Sequence, residues 1–138
     1  MAERIFVDTN PIIYFLNTDS PFYAAVRRFF VSAKLAEAEF YTSTITDAEF
    51  LVKPLRNGRI DEINAYRDFT TGFGFFKLPV TEPIAARSAE LRTKYRSIKL
   101  ADSLQLASGI VFGCDKFLTN DAQLKQVTET DVVYLGDV

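Results

Sequence analysis

The sequence predicts an α/β fold: a sandwich around a central, mostly parallel sheet of four to five short strands, carried by one domain over residues 1–138. Two observations predict it. Short apolar runs alternate along the chain with stretches of helical spacing, the pattern of a sheet covered by helices. A length of 138 residues with 48% apolar and 25% charged side chains is that of one folded core, and no linker, repeat or low-complexity tract divides it.

The elements follow in order. Ile5-Phe6-Val7 reads as a short buried strand ending at Asp8, and Asn10 then leads into a helix with Pro11 at its first position. Apolar residues at 22, 25, 26, 29, 30 and 33 recur at helical spacing and predict a helix from Phe22 to about Ala38. Phe40-Tyr41-Thr42 is a second strand. Thr46-Asp47-Ala48-Glu49 has the capping-box pattern and opens a helix to roughly Arg56, which Asn57-Gly58 ends. A helix from Ile60 to Thr70, a strand at Phe75-Phe76-Lys77-Leu78 and a helix from about Pro83 to Lys94 come next. Leu100, Leu104, Ala107 and Val111 form a stripe that predicts a core helix over 101–112, stopped by Gly113. Lys116-Phe117-Leu118 is a strand, Asp121 to about Gln126 a short helix, and Val132-Val133-Tyr134-Leu135 the last strand.

The side-chain inventory narrows the chemistry. The chain contains no histidine, which excludes Ser-His-Asp and Cys-His catalysis and histidine-bound zinc within it. The single cysteine, Cys114, has no internal disulfide partner and no base to activate it, so it reads as a small buried filler. No apolar run approaches the ~18 residues of a membrane span, and the first residues lack the pattern of a signal peptide, so the cytoplasm is the expected compartment. Carboxylates remain, and as hard oxygen donors they suit Mg²⁺ or Mn²⁺. The formal charge of −2 runs against phosphate binding, but Lys53, Arg56 and Arg59 form one basic group and Arg87, Arg92, Lys94, Arg96 and Lys99 a second. These groups either track an RNA backbone or are solvated helix faces.

In a sheet of this kind ligands gather at the carboxyl ends of the strands. Asp8 follows the first strand, Glu49 lies in the first turn after the second, and Asp121 follows the strand at 116–118; Asp102 opens the core helix. Each acid also has an ordinary structural role available. Asp8 and Asp121 could be caps, Glu49 the reciprocal partner in a capping box, and Asp102 a first-turn acid on the helix dipole. Together, however, several carboxylates brought to one edge repel unless a cation neutralises them. Such a centre supports hydrolysis by metal-activated water. Asp8 and Asp102 are then the direct ligands, with Glu49 and Asp121 bound directly or through water. Asp47 reads as a solvated first-turn charge pointing elsewhere, Asp115 lies at the opposite end of its strand, and Thr9, Ser43 and Thr119 read as caps.

Four blocks in order resemble the PIN-domain family, especially its VapC-type toxins: Ile5-Phe6-Val7-Asp8-Thr9-Asn10-Pro11-Ile12-Ile13-Tyr14, Ser43-Thr44-Ile45-Thr46-Asp47-Ala48-Glu49, Leu100-Ala101-Asp102-Ser103-Leu104-Gln105-Leu106-Ala107, and Phe117-Leu118-Thr119-Asn120-Asp121. The resemblance spans essentially the whole chain. It implies a PIN-like three-layer sandwich and one acidic pocket made by Asp8, Glu49, Asp102 and Asp121, with Asn120 as the neighbouring candidate for the fourth place. It further implies Mg²⁺- or Mn²⁺-dependent endoribonuclease activity on structured or translation-linked RNA, homodimerisation, and inhibition by a small cognate antitoxin lying in the groove beside the site. Ile12, Ile13, Phe15 and the aromatic segment 22–30 either meet that antitoxin or a second copy, or pack in the core.

Two other readings stand beside the toxin: a PIN nuclease of RNA maturation or decay without an antitoxin, and a metal- or RNA-binding module without turnover. Retention of all four acids argues against the second. A phosphoacceptor or aspartyl-nucleophile protein also places an acid after its first strand, but Asp8-Thr9-Asn10-Pro11 lacks the second nearby Asp.

Overall fold

A computed structural model describes residues 1–138. Five strands, β1 (Arg4–Val7), β2 (Glu39–Ser43), β3 (Phe76–Leu78), β4 (Lys116–Thr119) and β5 (Asp131–Tyr134), form one sheet in the order β3-β2-β1-β4-β5. Every pairing is parallel. The chain winds outward from β1 through β2 to β3 and then returns to the other side of β1. The order therefore reverses between β1 and β4, where loops diverge and leave a crevice at the carboxyl edge.

Seven helices cover the sheet: α1 (Thr9–Phe15), α2 (Tyr23–Leu35), α3 (Thr44–Phe50), α4 (Val52–Arg56), α5 (Ile60–Gly72), α6 (Glu82–Lys94) and α7 (Leu100–Val111). Side chains alternate across a strand, so β1 serves two cores. Ile5 and Val7 meet Ile12 of α1, Val26 and Phe30 of α2 and Tyr66 of α5. Phe6 faces the other way, against Ile84 and Leu91 of α6 and Leu106 and Ala107 of α7. These are the three layers that the family resemblance implies, around the parallel sheet that the alternation of strands and helices predicts.

Several boundaries differ from the sequence-based expectation, each for a local reason. Helix α1 starts at Thr9 with Asp8 as its N-cap. Pro11 is its third residue, still within the first turn, where a missing N–H leaves nothing unpaired. The helix expected from Thr46 to Arg56 begins earlier, with Ser43 as N-cap accepting from Ile45 N at 3.1 Å, and is divided at Leu51. Pro54 cannot donate to the carbonyl of Phe50, which removes the bond that would join α3 to α4. Thr46 and Glu49 are thus no capping box, and Glu49 sits in the second turn. Residues 122–126 form a 3-10 turn in place of the short helix, closed by Leu124 N to Asp121 O at 3.1 Å.

The expected stripe on α7 is also displaced. Leu100 and Val111 are 55% and 42% exposed, while Ser103, Gln105, Leu106, Ala107, Ser108 and Gly109 are buried. The helix is wedged between the sheet and α6, so the arc it hides is wider and turned from the one that leucine spacing suggests. Three polar side chains are tolerated because each finds a partner. Ser103 meets Ser88 of α6 at 2.7 Å, Ser108 donates to Leu104 O at 2.8 Å, and Gln105 joins a network below the acids. Gly109 permits the close approach: a Cβ there would stand 3.2 Å from Phe6 Cβ. The aromatic segment and its neighbours are mostly core, with Ile12 and Phe30 buried and Phe15, Phe22 and Phe29 packed against them. No helix is long and apolar enough to cross a membrane.

Candidate functional site

The crevice between β1 and β4 is lined by the acids that follow those strands. Asp8 ends β1, its N–H bonded to Leu118 O at 2.9 Å. Its extended backbone then turns into α1, so the carboxylate points into the crevice and caps the helix. One oxygen accepts from Thr9 N at 2.9 Å, and the other accepts from Thr119 Oγ1 at 2.9 Å. The residue is only 6% exposed. Burial pushes its carboxyl up to about 7; the two hydrogen bonds oppose this, and the charges of Asp102 and Glu49 add to it.

Asp102, in the first turn of α7, is half-buried. Its carboxyl is raised above the ordinary range by burial and then by the charges of Asp121 and Glu49, with Lys99 pulling the other way. Asp121 caps the 3-10 turn through Gln123 N at 3.0 Å, and its own N–H donates to Thr119 Oγ1 at 3.1 Å. Thr119 therefore holds both Asp8 and Asp121, more than the plain cap its position suggested. The neighbouring candidate, Asn120, turns away and donates to Tyr14 Oη at 3.1 Å. Glu49 is exposed on α3 and accepts from Thr9 Oγ1 at 2.6 Å.

Mutual electrostatic influence thus links Asp8, Glu49, Asp102 and Asp121, and none of them takes part in a salt bridge. No three of them converge closely enough to chelate one ion directly. The donor set fits a hard cation held by one or two carboxylates with water completing the shell, the mode Mg²⁺ favours.

Other sequence expectations separate here. Asp47 points away from the acids as expected, but it is paired rather than solvated, accepting from Tyr66 Oη at 2.6 Å and from Lys77 Nζ at 2.8 Å. Asp115 lies at the amino edge, accepting from Arg4 N at 2.8 Å. Cys114 is buried, and burial pushes its thiol up to about 12. Among the basic residues, Arg59 is taken up by Asp61 and Lys94 by Glu129, whereas Lys53, Arg56, Arg92, Arg96 and Lys99 have no acidic partner. A cavity of about 330 Å³ opens beside Glu49, walled by Ile13, Leu16, Phe50 and Pro54 with Lys53 and Glu62 among its polar groups.

Sequence reasoning missed the layer beneath the acids. Gln105, fully buried on α7, reaches Ser43, Thr46 and Thr9. Its one local signal is an amide on the core helix, one turn beyond Asp102.

Comparison with known proteins completes the picture. The family model that matches is described as the PIN domain, over residues 5–129. The curated proteins contain no match. Among solved structures, FitAcB from Neisseria gonorrhoeae superposes with a TM-score of 0.74 at 22% identity, over 97% of this chain and 99% of the other. VapBC2 from Rickettsia felis, bound to a DNA fragment from its promoter, gives 0.73 at 16% identity over 95% and 98%. VapC20 from Mycobacterium tuberculosis, a sarcin-ricin-loop-cleaving toxin, gives 0.69 at 17% identity over 92% and 98%. At these identities the likeness is one of fold.

Proposed function

The chain belongs to the PIN-domain family, and from that premise we propose that it is a metal-dependent endoribonuclease, the toxin of a toxin–antitoxin pair, acting as one catalytic domain over residues 1–138. The observation that carries the reading is Asp8: a carboxylate buried among further acids, with no cation in the chain to balance it. Such a group is costly unless a bound cation neutralises it.

In this reading Asp8 and Asp102 would hold Mg²⁺ or Mn²⁺ directly, and, since no three of the acids converge on one ion, Glu49 and Asp121 would reach it through water. When bound, the ion polarises a phosphoryl oxygen and makes water acidic enough to supply hydroxide. The chain's own groups do the rest. Thr119 orients Asp8 and Asp121 together, and Thr9 orients Glu49. Glu49, the most exposed acid, is placed to accept a proton from the attacking water. Lys53, Arg56, Arg59, Arg92, Lys94, Arg96 and Lys99 provide the RNA backbone contacts; Arg59 must exchange the exposed carboxylate of Asp61, and Lys94 the part-buried carboxylate of Glu129, for phosphate.

The cavity beside Glu49 is the seat of the cognate antitoxin, since its apolar walls suit an amphipathic segment and Glu49 itself lines it. A toxin–antitoxin complex from Klebsiella pneumoniae, at a TM-score of 0.71 and 21% identity, offers a precedent in the same fold. The toxin acts as a homodimer in the cytoplasm.

The test is cleavage of a labelled RNA panel in Mg²⁺, Mn²⁺ or EDTA by wild type, Asp8→Ala and Asp102→Ala, each first shown to be folded. Metal-dependent cutting lost in both variants supports the reading. No cutting of any RNA by the antitoxin-free wild type, or cutting retained in EDTA, contradicts it.

A further inference from the structure

The acids rest on a buried polar floor, and Gln105 is its hub. The side chain is fully buried. Its Nε2 donates to Thr46 Oγ1 at 2.9 Å and to Thr9 Oγ1 at 3.3 Å, while its Oε1 accepts from Ser43 Oγ. One amide thereby joins α7, which carries Asp102, to α1, which Asp8 caps, and to the β2–α3 junction, which leads to Glu49.

The directions of these bonds are constrained by what each atom can do. Thr42 Oγ1 donates to Val7 O at 3.1 Å, so towards Thr46, 3.0 Å away, it accepts. The Thr46 proton goes either to Thr42 or to Thr9, 3.1 Å distant. In both arrangements Thr9 Oγ1 receives a proton from the floor. Its own proton then points to Glu49 Oε1, 2.6 Å away. Thr9 is the sole side-chain or backbone partner of the Glu49 carboxylate within the chain.

We propose that Gln105 is a positioning residue: by occupying the acceptor side of Thr9 it commits the Thr9 hydroxyl proton to Glu49 and so fixes that carboxylate at the edge of the acidic crevice. The inference rests on the nuclease reading only for its consequence, which is tighter metal binding. Without the amide donor, the acceptor side of Thr9 is filled only while Thr46 donates to it; once the Thr46 proton turns to Thr42, Thr9 is free to turn its own proton back to Thr46, and Glu49 swings into solvent.

The test uses the full-length, metal-free protein. Proton NMR is expected to show a slowly exchanging Thr9 hydroxyl with a cross-peak to the Glu49 side chain, assigned by its loss in Thr9→Val. Gln105→Met keeps the side-chain length without the donor and is expected to lose that signal. Calorimetric titration with Mn²⁺ alone should then show about tenfold weaker binding in Gln105→Met and in Thr9→Val, the size usual for a support behind a ligand. Thr9→Ser should restore wild-type binding. In a Glu49→Ala background Gln105→Met should cost nothing further. The proposal is overturned if Gln105→Met retains the hydroxyl signal, or if it weakens Mn²⁺ binding equally in the Glu49→Ala background, which marks a packing effect. Gln105→Leu, which also removes the donor, carries the same comparison should Gln105→Met fail to fold. A wild type that takes up no Mn²⁺ removes the nuclease reading alone, since the hydroxyl signal still decides what Gln105 does to Thr9.

Discussion

The two edges of the sheet carry the same kinds of side chain and treat them in opposite ways. At the amino edge Asp115 accepts from Arg4 N at 2.8 Å, and Glu3 pairs with Lys116 at 3.2 Å. At the carboxyl edge Asp8, Glu49 and Asp121 accept from hydroxyls and backbone N–H groups, and neither they nor Asp102 form a salt bridge. Acids at the first edge join the ends of strands. At the second, burial and then the charges of neighbouring acids raise the proton affinity of Asp8 and Asp102. Burial sharpens the contrast at Asp8: exposed charges can pair at little cost, whereas this buried carboxylate has no cation of the chain beside it, and in the reading proposed above a bound metal ion supplies one.

The contrast breaks most visibly in activity. Asp102→Ala is expected to lower RNA cleavage by on the order of a hundredfold or more with an unchanged circular dichroism spectrum. A variant that cuts within a factor of a few of wild type would put Asp102 outside the chemistry.

Stability sharpens it next. The folded Asp8 carboxyl titrates at about 7, against about 3.9 in an unfolded chain. Below pH ~4 both states are protonated. As pH rises towards 7 the unfolded chain releases this proton while the folded chain keeps it, so stability falls over that range and the penalty stays constant above it. Asp8→Asn removes the penalty, although one amide cannot accept from both Thr9 N and Thr119. A gain of about 2 kcal/mol is therefore expected in EDTA at pH 8, vanishing below pH ~4. Urea unfolding at both pH values checks this, and an equal gain at each would contradict it.

The amino edge should respond in the reverse sense. Asp115→Ala is expected to destabilise by about 1 kcal/mol at pH 7, with Mn²⁺ binding and RNA cleavage unaltered. Smallest of all, Lys116→Gln breaks an ion pair whose side chains are 34% and 44% exposed, and its unfolding free energy should stay within about 0.5 kcal/mol of wild type. A loss of Mn²⁺ binding in either variant would mean that the two edges are not independent.

Much of this architecture was legible in the chain. A short apolar run followed by an acid located Asp8 and Asp121, because strand ends and the acids after them are neighbours in sequence. Asp102 was legible as the first-turn acid of a recognisable core helix. What escaped depended on distant partners. Leucine spacing marks a helix face, but α7 has two buried flanks, and the second is set by Phe6 and Ser88, far away in sequence. Asp47 looked solvated because its partners, Tyr66 and Lys77, lie 19 and 30 residues on. Gln105 gave a local hint, yet its bond to Thr9 spans 96 residues. The break between α3 and α4 is legible in Pro54, whereas the capping-box pattern at Thr46 suggests one unbroken helix.

The most direct test of a carboxyl edge built for a cation is thermal unfolding at pH 8 across an Mn²⁺ titration, for wild type and for the double variant Asp8→Asn with Asp102→Asn. The account predicts that Mn²⁺ raises the melting temperature of wild type in a saturable way and leaves the double variant unmoved. Equal shifts in the two proteins, or none in wild type, would contradict it.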